Sequence, residues 1–270
     1  MNAPPILGRV SAAAYLDAAV HPSLWTALIP AAGRGSRLGF DKPKILFPIG
    51  GRTILEWLVD LLGPLCAQFV FVLSPEGKAA VEELTSRLLP GRYRIAVQSE
   101  PRGMADAIAR GLPLAETHNT MIVWGDQVAL EPASLDLAMR VHQGSAEPDA
   151  TCPTLWRDRP YIHFERDARG RLVQVLQARE GDAMPERGES DCGVFLFRTE
   201  ALRRMLPDFL DSEVSIGKET RELNFLPMLP MLDRLISLPI MTEAESIGVN
   251  SRADAEYLER HLAARRAGAW

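Results

Sequence analysis

Four short segments rich in apolar residues recur along the first half of the chain, and each has the length of a strand. They are Trp25 to Ala32, QFVFVLS at 68–74, RYRIAVQ at 92–98 and TMIVWGD at 120–126. Apolar segments of this length are typical of strands that lie inside a sheet. We therefore expect four strands in one largely buried sheet.

Segments with the apolar spacing of helices lie between these strands. Thr53 stands three residues before Glu56, a capping-box pattern that predicts the start of a helix. Strands and helices that alternate on short connections predict a right-handed parallel sheet with helices on both faces. The predicted helices are residues 53–62, 76–89, Met104 to Arg110, Pro132 to His142 and Ala253 to Ala264, with a short amphipathic or capping helix at 10–20.

Residues 150–200 follow a different pattern, with short strand-like runs, turns such as RDARGRL and no strong helix. This pattern predicts antiparallel strands that extend the sheet or cover its ligand-binding edge. The predicted fold class is therefore α/β, with a mainly parallel mixed sheet and a small antiparallel extension. Ligands of such sheets bind at the carboxyl ends of the strands, so the residues after each strand are the candidate site residues.

Composition limits the classes of function. The chain has 270 residues and a formal net charge of -5, which provides no general attraction for nucleic acid or for an acidic membrane. We find no basic N-terminal region typical of a secretory signal, and no apolar run near the ~18 residues of a membrane span. Cys66, Cys152 and Cys192 lack metal-binding spacing, which favours buried free thiols in a reducing compartment. We expect a soluble, cytoplasmic protein.

The first strand is followed by a glycine-rich loop, GRGSRLG at 33–39. Its spacing matches neither the dinucleotide-binding fingerprint nor the Walker P-loop. Glycines let backbone N–H groups approach anionic oxygens, and Ser36 and Arg37 can add a hydroxyl and a guanidinium. Only four of the 30 basic residues are lysines, and two of these, Lys42 and Lys44, lie in this loop. The loop either binds phosphate or simply connects a strand to a helix.

Further blocks of sequence accompany this loop. They are PAAGRGSRLGFDKPKIL at 30–46, QSEPRGMADAI at 98–108, WGDQVAL at 124–130 and GVNSRADAEYL at 248–258. In this order they resemble the motifs of the nucleoside-diphosphate-sugar pyrophosphorylases, over about residues 25 to 260. The nearest likeness is the uridylyltransferase half of the bifunctional N-acetylglucosamine-1-phosphate enzymes.

The resemblance implies a Rossmann-like three-layer sandwich of the GT-A nucleotidyltransferase type and a function for each matched residue. Contacts with the nucleotide are implied for Ala32, Gly33, Gly35, Ser36, Gln98 and Gly103, the last two at the base. Catalytic functions are implied for Arg37, Lys44 and Asp126, and Mg2+ binding for Asp126 and Asn250. This set suits the chemistry, because transfer between phosphates requires neutralisation of negative charge, and Mg2+ needs few protein ligands beside phosphates and water.

Three of these residues have a purely structural alternative. Asp126 could cap a helix near Pro132, and Asn250 could cap the final helix, since both residue types are common at helix N-termini. Gln98 could be an exposed amide at the end of a strand.

The acceptor half of the chain departs from the resembled family. Gln177 stands where the family has Glu, and Asp191 stands where it has Asn. Exchanged carboxylate and amide groups change which hydroxyl groups a site can match, so N-acetylglucosamine 1-phosphate is not the expected acceptor. Gln177, Arg179 and Asp191 are candidate acceptor-binding residues, although Arg179 and Asp191 could instead form surface ion pairs.

The domain organisation implied is an N-terminal extension at 1–24 and one domain at 25–265, with a nucleotide half at about 25–130 and an acceptor half at about 131–250. The expected function is Mg2+-dependent transfer of a nucleotidyl group from UTP or dTTP to a sugar 1-phosphate, with release of pyrophosphate. A cytidylyltransferase that acts on a non-sugar phosphate or phosphonate, and a non-catalytic sugar-nucleotide-binding protein, remain alternatives. The oligomeric state is left open.

Overall fold

The architecture is taken from a computed structural model that describes residues 12–146 and 148–267. The strands within these residues are Trp25–Pro30 (β1), Pro48–Ile49 (β2), Arg52–Thr53 (β3), Gln68–Leu73 (β4), Tyr93–Val97 (β5), Asn119–Val123 (β6), Ala150–Asp158 (β7), Ile162–Arg166 (β8), Leu172–Gln177 (β9), Arg187–Asp191 (β10), Val194–Arg198 (β11) and Leu235–Pro239 (β12). The α-helices within them are Ile54–Leu62 (α1), Pro75–Leu88 (α2), Met104–Gly111 (α3), Pro132–Gly144 (α4), Thr199–Leu210 (α5) and Arg252–Arg266 (α6).

The main sheet is mixed. Its strands β5, β4, β1 and β6 lie side by side and are parallel. The antiparallel strand β11 follows β6, and β7 pairs antiparallel with both β11 and β10. Strand β12 pairs parallel with β7, while β8 and β9 form a separate antiparallel hairpin. The predicted α/β class, with a mainly parallel first half and antiparallel strands after residue 150, is confirmed.

Both faces of the sheet are covered by hydrophobic cores, which makes the fold a three-layer sandwich. Successive residues of β1 point to opposite cores: Ala27 and Ile29 pack in one, and Leu28 packs in the other. Helices α1, α2, α4 and α6 contribute to the first core, and α3 and α5 contribute to the second. The continuous apolar runs of the sequence therefore arise because every position of a central strand faces a core.

Local signals set the ends of several elements. The Thr53 side chain accepts a hydrogen bond from the backbone of Glu56, and the Glu56 carboxylate accepts one from the Thr53 backbone, so the predicted capping box is present.

Helix α5 was not predicted. Of the predicted helix at 10–20, the structure has a 3-10 turn at Ala12–Tyr15, and residues 10 and 11 lie outside the described residues.

All three cysteines are buried and free, as expected. Within the described ranges, no helix combines the length and apolarity needed to cross a membrane. The division into an extension and a two-part domain stays a prediction.

Candidate active site

Two adjoining cavities open at the carboxyl ends of the parallel strands. The first, of about 300 Å³, is lined by residues that follow β1, β5 and β6, and these include Ala32, Gly33 and Gln98. The second, of about 520 Å³, lies against the antiparallel part of the sheet. Asp126 lies in the wall of both cavities. We call them the first cavity and the second cavity.

Only part of the glycine-rich loop lies in the wall of the first cavity, namely Gly33 at its start, with Lys44 after it. The Lys44 backbone N–H donates to the carbonyl of Gly33 at 3.0 Å, which folds the loop back on itself. Gly35 adopts a positive φ of 44°, a conformation that glycine reaches without strain, and precedes the 3-10 turn Ser36–Leu38. Ser36 lies in the wall of a separate cavity of about 460 Å³ that shares Gly33 with the first cavity.

Lys44 joins the two residues that the sequence predicts as metal ligands. Its Nζ atom donates to Oδ2 of Asp126 at 2.5 Å and to Oδ1 of Asn250 at 2.8 Å. Both side chains of the Lys44–Asp126 pair are largely buried, at 20% and 17% exposed. A cationic group therefore lies where the two oxygen atoms converge, although the three residues are far apart in the sequence.

Close backbone packing holds Asp126 in this position. A Cβ atom on Gly125 would come within 2.7 Å of the Pro30 carbonyl oxygen, and one on Gly248 within 3.0 Å of the Asp126 carboxylate. The Val249 N–H also donates to the Asp126 carbonyl at 3.1 Å. The Gly-Asp and Gly-Val-Asn motifs therefore pack directly against each other.

Neither Asp126 nor Asn250 caps a helix, which was the structural alternative for each of them. The N-cap of α4 is Glu131 rather than Asp126, and the N-cap of α6 is Ser251 rather than Asn250. The Asn250 side chain is thus available at the cavity, while its backbone N–H donates to Asp254 at 3.1 Å.

Gln98 and Gly103 lie at the far end of the first cavity. Gln98 is 6% exposed, so it is not the exposed strand-end amide that the sequence left possible. Its Nε2 donates to the Gly103 carbonyl at 3.0 Å and to Oδ2 of Asp106 at 2.8 Å. Gly103 has φ of 114°, and a Cβ atom there would lie 2.5 Å from the carbonyl oxygen of Leu223.

The second cavity combines an aromatic wall with polar groups. Trp124 packs against Phe195 and Phe225, with ring centroids 5.1 and 6.0 Å away. Polar residues of the wall include Arg37, Gln177 and Asp191, all predicted from the sequence. Gln177 is buried, and its Oε1 accepts a hydrogen bond from Asn224 at 2.8 Å.

Asp191 differs from an ordinary surface carboxylate. Burial raises its pKa, and a hydrogen bond from the Gly193 N–H to Oδ2 at 2.9 Å opposes that shift only in part. Asp191 therefore presents a carboxyl group with a raised pKa in the wall of the second cavity.

Arg179 stands at the boundary of the two cavities, where it forms ion pairs as the sequence alternative allowed. Its guanidinium lies 3.7 Å from Glu222 and 3.3 Å from Glu180. Glu180 is buried and accepts hydrogen bonds from the Glu219 N–H and the Thr220 hydroxyl. Burial raises the pKa of Glu180, but these hydrogen bonds and Arg179 outweigh it, so its pKa lies below the usual value.

The residues present fit Mg2+ better than a softer metal. No group of three or more His, Cys, Asp or Glu side chains that could hold a metal occurs within residues 12–146 and 148–267. The convergent atoms of Asp126 and Asn250 are both oxygens, and a cationic nitrogen already lies between them. Mg2+ prefers few carboxylate ligands together with phosphates and water.

Sequence reasoning missed several residues of these walls. Trp124 and Met104 line both cavities, and Glu222 lines the first. Trp124 immediately precedes the Gly-Asp motif, so its place after β6 was a usable signal. Glu222 carries no local signal, because only the folded chain brings it to Arg179.

Comparison with known proteins identifies the family of the chain. The family model described as MobA-like NTP transferase domain matches residues 27–191. The Bifunctional protein GlmU of Gloeobacter violaceus is 30% identical over 243 residues, which cover 87% of this chain and 51% of that protein. The protein of the same name from Carboxydothermus hydrogenoformans is 27% identical over 246 residues, 90% of this chain and 54% of that protein. The chain spans about half the length of these curated relatives.

Two solved structures share the fold. A protein described as a glucose-1-phosphate thymidylyltransferase from Bacillus anthracis superposes with a TM-score of 0.67 at 16% identity, covering 87% of this chain and 95% of that chain. A 4-diphosphocytidyl-2C-methyl-D-erythritol synthase from Anaerococcus prevotii superposes with a TM-score of 0.63 at 14% identity, covering 90% and 99%. The predicted Rossmann-like nucleotidyltransferase fold and the family resemblance are confirmed. The chain belongs to the MobA-like NTP transferase domain family, a family of nucleotidyltransferases.

Proposed function

We propose that the protein is a Mg2+-dependent enzyme that condenses UTP or dTTP with a sugar 1-phosphate, giving a nucleoside-diphosphate sugar and pyrophosphate. The observation that carries this proposal is the position of Asp126, which lies in the wall of both cavities and beside Lys44. Two substrates that occupy the two cavities would meet at this point.

In this proposal the nucleoside triphosphate occupies the first cavity. The base lies against Gln98 and Gly103, and the backbone of Ala32 and Gly33 contacts the nucleotide. The neighbouring cavity, lined by Ser36 and Lys42, provides space for the distal phosphates, because Gly33 lies in the walls of both this cavity and the first. Pyrophosphate would leave on that side of the loop.

The acceptor phosphate enters from the second cavity. An oxygen of this phosphate attacks the α-phosphorus of the triphosphate, the new P–O bond forms, and the bond to the β-phosphate breaks with release of pyrophosphate. Arg37 and Lys44 neutralise the charge that accumulates on the phosphate oxygens. Mg2+, held by Asp126 and Asn250, would supply further charge neutralisation. No residue forms a covalent intermediate.

The sugar of the acceptor lies against the aromatic wall of the second cavity. Trp124 provides an apolar surface, and Gln177, Arg179 and Asp191 provide polar contacts. Oε1 of Gln177 accepts a hydrogen bond from the Asn224 side chain. The amide N–H groups of Gln177 are left to donate to a hydroxyl group of the acceptor sugar. We therefore expect the sugar of the acceptor to present hydroxyl groups to this wall.

Pyrophosphate release tests the proposal directly. We would measure it with each of UTP, dTTP, CTP and GTP against a panel of sugar 1-phosphates, an alcohol phosphate and a phosphonate, with Mg2+ and with EDTA. Turnover with a sugar 1-phosphate and UTP or dTTP, lost in EDTA, is the expected result. Turnover only with a non-sugar acceptor would overturn the acceptor class, and nucleotide binding without any turnover would overturn the enzymatic function.

A further inference from the structure

Both N–H groups of the Gln98 side chain are already used. One donates to the Gly103 carbonyl and the other to Oδ2 of Asp106. An amide nitrogen has two N–H donors, so Gln98 has none left for a ligand. The group that remains is the carbonyl oxygen Oε1, to which no described residue donates a hydrogen bond.

The chemistry of the two partners fixes this orientation of the amide. A backbone carbonyl can only accept hydrogen bonds, and so can an ionised carboxylate. Burial raises the pKa of Asp106, but hydrogen bonds from Arg110 and Gln98 outweigh that effect and keep the pKa below its usual value. Asp106 is therefore ionised at neutral pH, and the opposite orientation of Gln98 would place its oxygen against two acceptors.

Arg110 holds Asp106 in place. Its Nε donates to the same Oδ2 atom at 2.8 Å, and the two residues are one helical turn apart on α3. Asp106 is 8% exposed, so its carboxylate depends on these protein partners rather than on water. The chain of contacts from Arg110 through Asp106 to Gln98 ends at the first cavity.

We propose that Asp106, held by Arg110, is a positioning residue that fixes Gln98 with its carbonyl toward the base and so selects bases with an N–H group on the pairing edge. This inference rests on the proposed function, because it assumes that the first cavity holds the base. Uracil and thymine carry an N3–H, and guanine carries the corresponding N1–H. Cytosine and adenine instead present a ring nitrogen acceptor, which an amide oxygen would repel.

The backbone N–H of Gly103 completes the pattern. It makes no hydrogen bond within the described part of the chain, and it lies at the start of α3 beside the Gln98 amide. An acceptor and a donor side by side match the N–H and neighbouring carbonyl of uracil, thymine and guanine. Cytosine has no N–H at N3, so its ring nitrogen mismatches the Gln98 oxygen, and a polar mismatch of this kind lowers kcat/KM by orders of magnitude.

The test compares Asp106→Ala with Asp106→Asn. In the alanine variant the Gln98 amide loses one of its two acceptors and is freer to turn, so we expect the UTP-to-CTP ratio of kcat/KM to fall at least about tenfold. The absolute kcat/KM for CTP should rise. The asparagine variant keeps an oxygen that can accept from both Gln98 and Arg110, so its ratio should stay within about threefold of the wild type.

A matched control is available on another helix. Asp136 and Arg140 on α4 form a pair with the same residue types, spacing and Nε to Oδ2 contact, at 2.6 Å. Asp136→Ala should leave the nucleotide ratio unchanged. Should Asp106→Ala fail to fold, Arg110→Met gives a second measurement, in which a smaller fall of the ratio is expected because Asp106 loses one partner.

The outcomes separate this inference from the proposed function. Turnover of the wild type with UTP or dTTP, together with an unchanged nucleotide ratio in Asp106→Ala, would overturn the positioning role and leave the function intact. Equal losses of kcat/KM for UTP and CTP in Asp106→Ala would also overturn the positioning role, since equal losses indicate that Asp106 has a structural role alone. Preference of the wild type for CTP would overturn the inferred base class. The kcat/KM of the wild type with GTP, compared with that for UTP and dTTP, shows whether the base is guanine or a pyrimidine.

Discussion

The ammonium group of Lys44 lies between the carboxylate of Asp126 and the amide oxygen of Asn250, at 2.5 and 2.8 Å from them. The two oxygen atoms proposed to bind Mg2+ therefore converge on the cationic nitrogen of Lys44. With Asp126 and Asn250 holding Mg2+, the Lys44 ammonium group would be free to contact a phosphate. The same three residues would thus serve both the metal and the triphosphate.

Replacement of Lys44 by alanine should lower kcat/KM at least about tenfold, equivalent to about 1.4 kcal/mol of transition-state stabilisation. The expected loss arises because a positive charge near the reacting phosphates is removed, while the fold keeps its core. Steady-state kinetics and a thermal melt would be measured together.

Lys78→Ala provides the control for this variant. Lys78 lies on α2, is 45% exposed and pairs with Glu82 at 3.3 Å, so its removal takes away the same charge from a surface helix. Its kinetics should match the wild type. If Lys44→Ala showed wild-type kinetics too, Lys44 would have no part in catalysis.

Replacement of Asp126 by asparagine should lower Mg2+-dependent turnover at least about 100-fold, because it removes the one carboxylate of the proposed site and leaves only neutral amide groups to attract a divalent cation. The melting temperature should stay nearly unchanged, since the substitution keeps the volume of the side chain. Binding of Mn2+, followed by electron paramagnetic resonance, provides a readout that does not depend on activity, and the Mn2+ affinity should fall.

Asp158→Asn makes the same chemical change at an exposed end of β7, where the side chain of Asp158 is 83% exposed. Mn2+ affinity and turnover should be unaffected there. Retained turnover in the Asp126 variant would refute the metal-binding assignment.

Strands and helices that depend on a local sequence pattern, such as an apolar run or a capping box, could be predicted from the sequence. Central strands such as β1 and β4 show unbroken apolar runs because two cores cover them, and α1 begins at a capping box that the sequence displays. Helix α5 was missed although its buried residues, which include Leu202 and Leu206, follow helical spacing. Pro207 lies inside that helix, and a proline normally indicates that a helix has ended.

The site was predictable only as far as its motifs are contiguous. Asp126 and Gln98 end predicted strands, so the rule for carboxyl strand ends drew attention to them, and the family resemblance implied their roles. The contacts between Gln177 and Asn224, and between Arg179 and Glu222, join residues more than 40 positions apart. Pairs of this kind leave no periodic or local signal in a single sequence.

Gly103 should not tolerate a side chain. A Cβ atom there would lie 2.5 and 2.6 Å from the backbone oxygen and nitrogen of Leu223, and the φ of 114° is unfavourable for any L-residue. We expect Gly103→Ala to lower the free energy of unfolding by about 2 kcal/mol or more. Chemical denaturation measures this value.

Gly91→Ala separates the two causes of that loss. Gly91 has a φ of 74° and no atom within 4 Å of an added Cβ, so only the backbone conformation is penalised, by about 1 kcal/mol. Equal losses of unfolding free energy in the two variants would mean that contact with Leu223 does not constrain the loop at Gly103.

The buried carboxylate of Glu180 should make stability depend on pH in the acid range. Because its pKa in the folded protein is lowered from the usual 4.5, the unfolded chain binds the proton more readily. The stabilisation from Glu180 is therefore fully present above about pH 4.5, and it is lost as the pH falls through the lower pKa of the folded state.

Glu180→Gln tests this dependence, because glutamine cannot ionise and cannot accept all of the hydrogen bonds from Glu219, Thr220 and Arg179. At pH 7 the variant should be less stable than the wild type by about 1 to 3 kcal/mol, and the gap should narrow as the pH falls below about 4.5. Glu116→Gln, at an exposed position, makes the same chemical change and should leave the stability at pH 7 close to that of the wild type. A stability difference between Glu180→Gln and the wild type that stays constant from pH 7 to pH 3 would mean that the ionised carboxylate does not hold Glu219 and Thr220 in place.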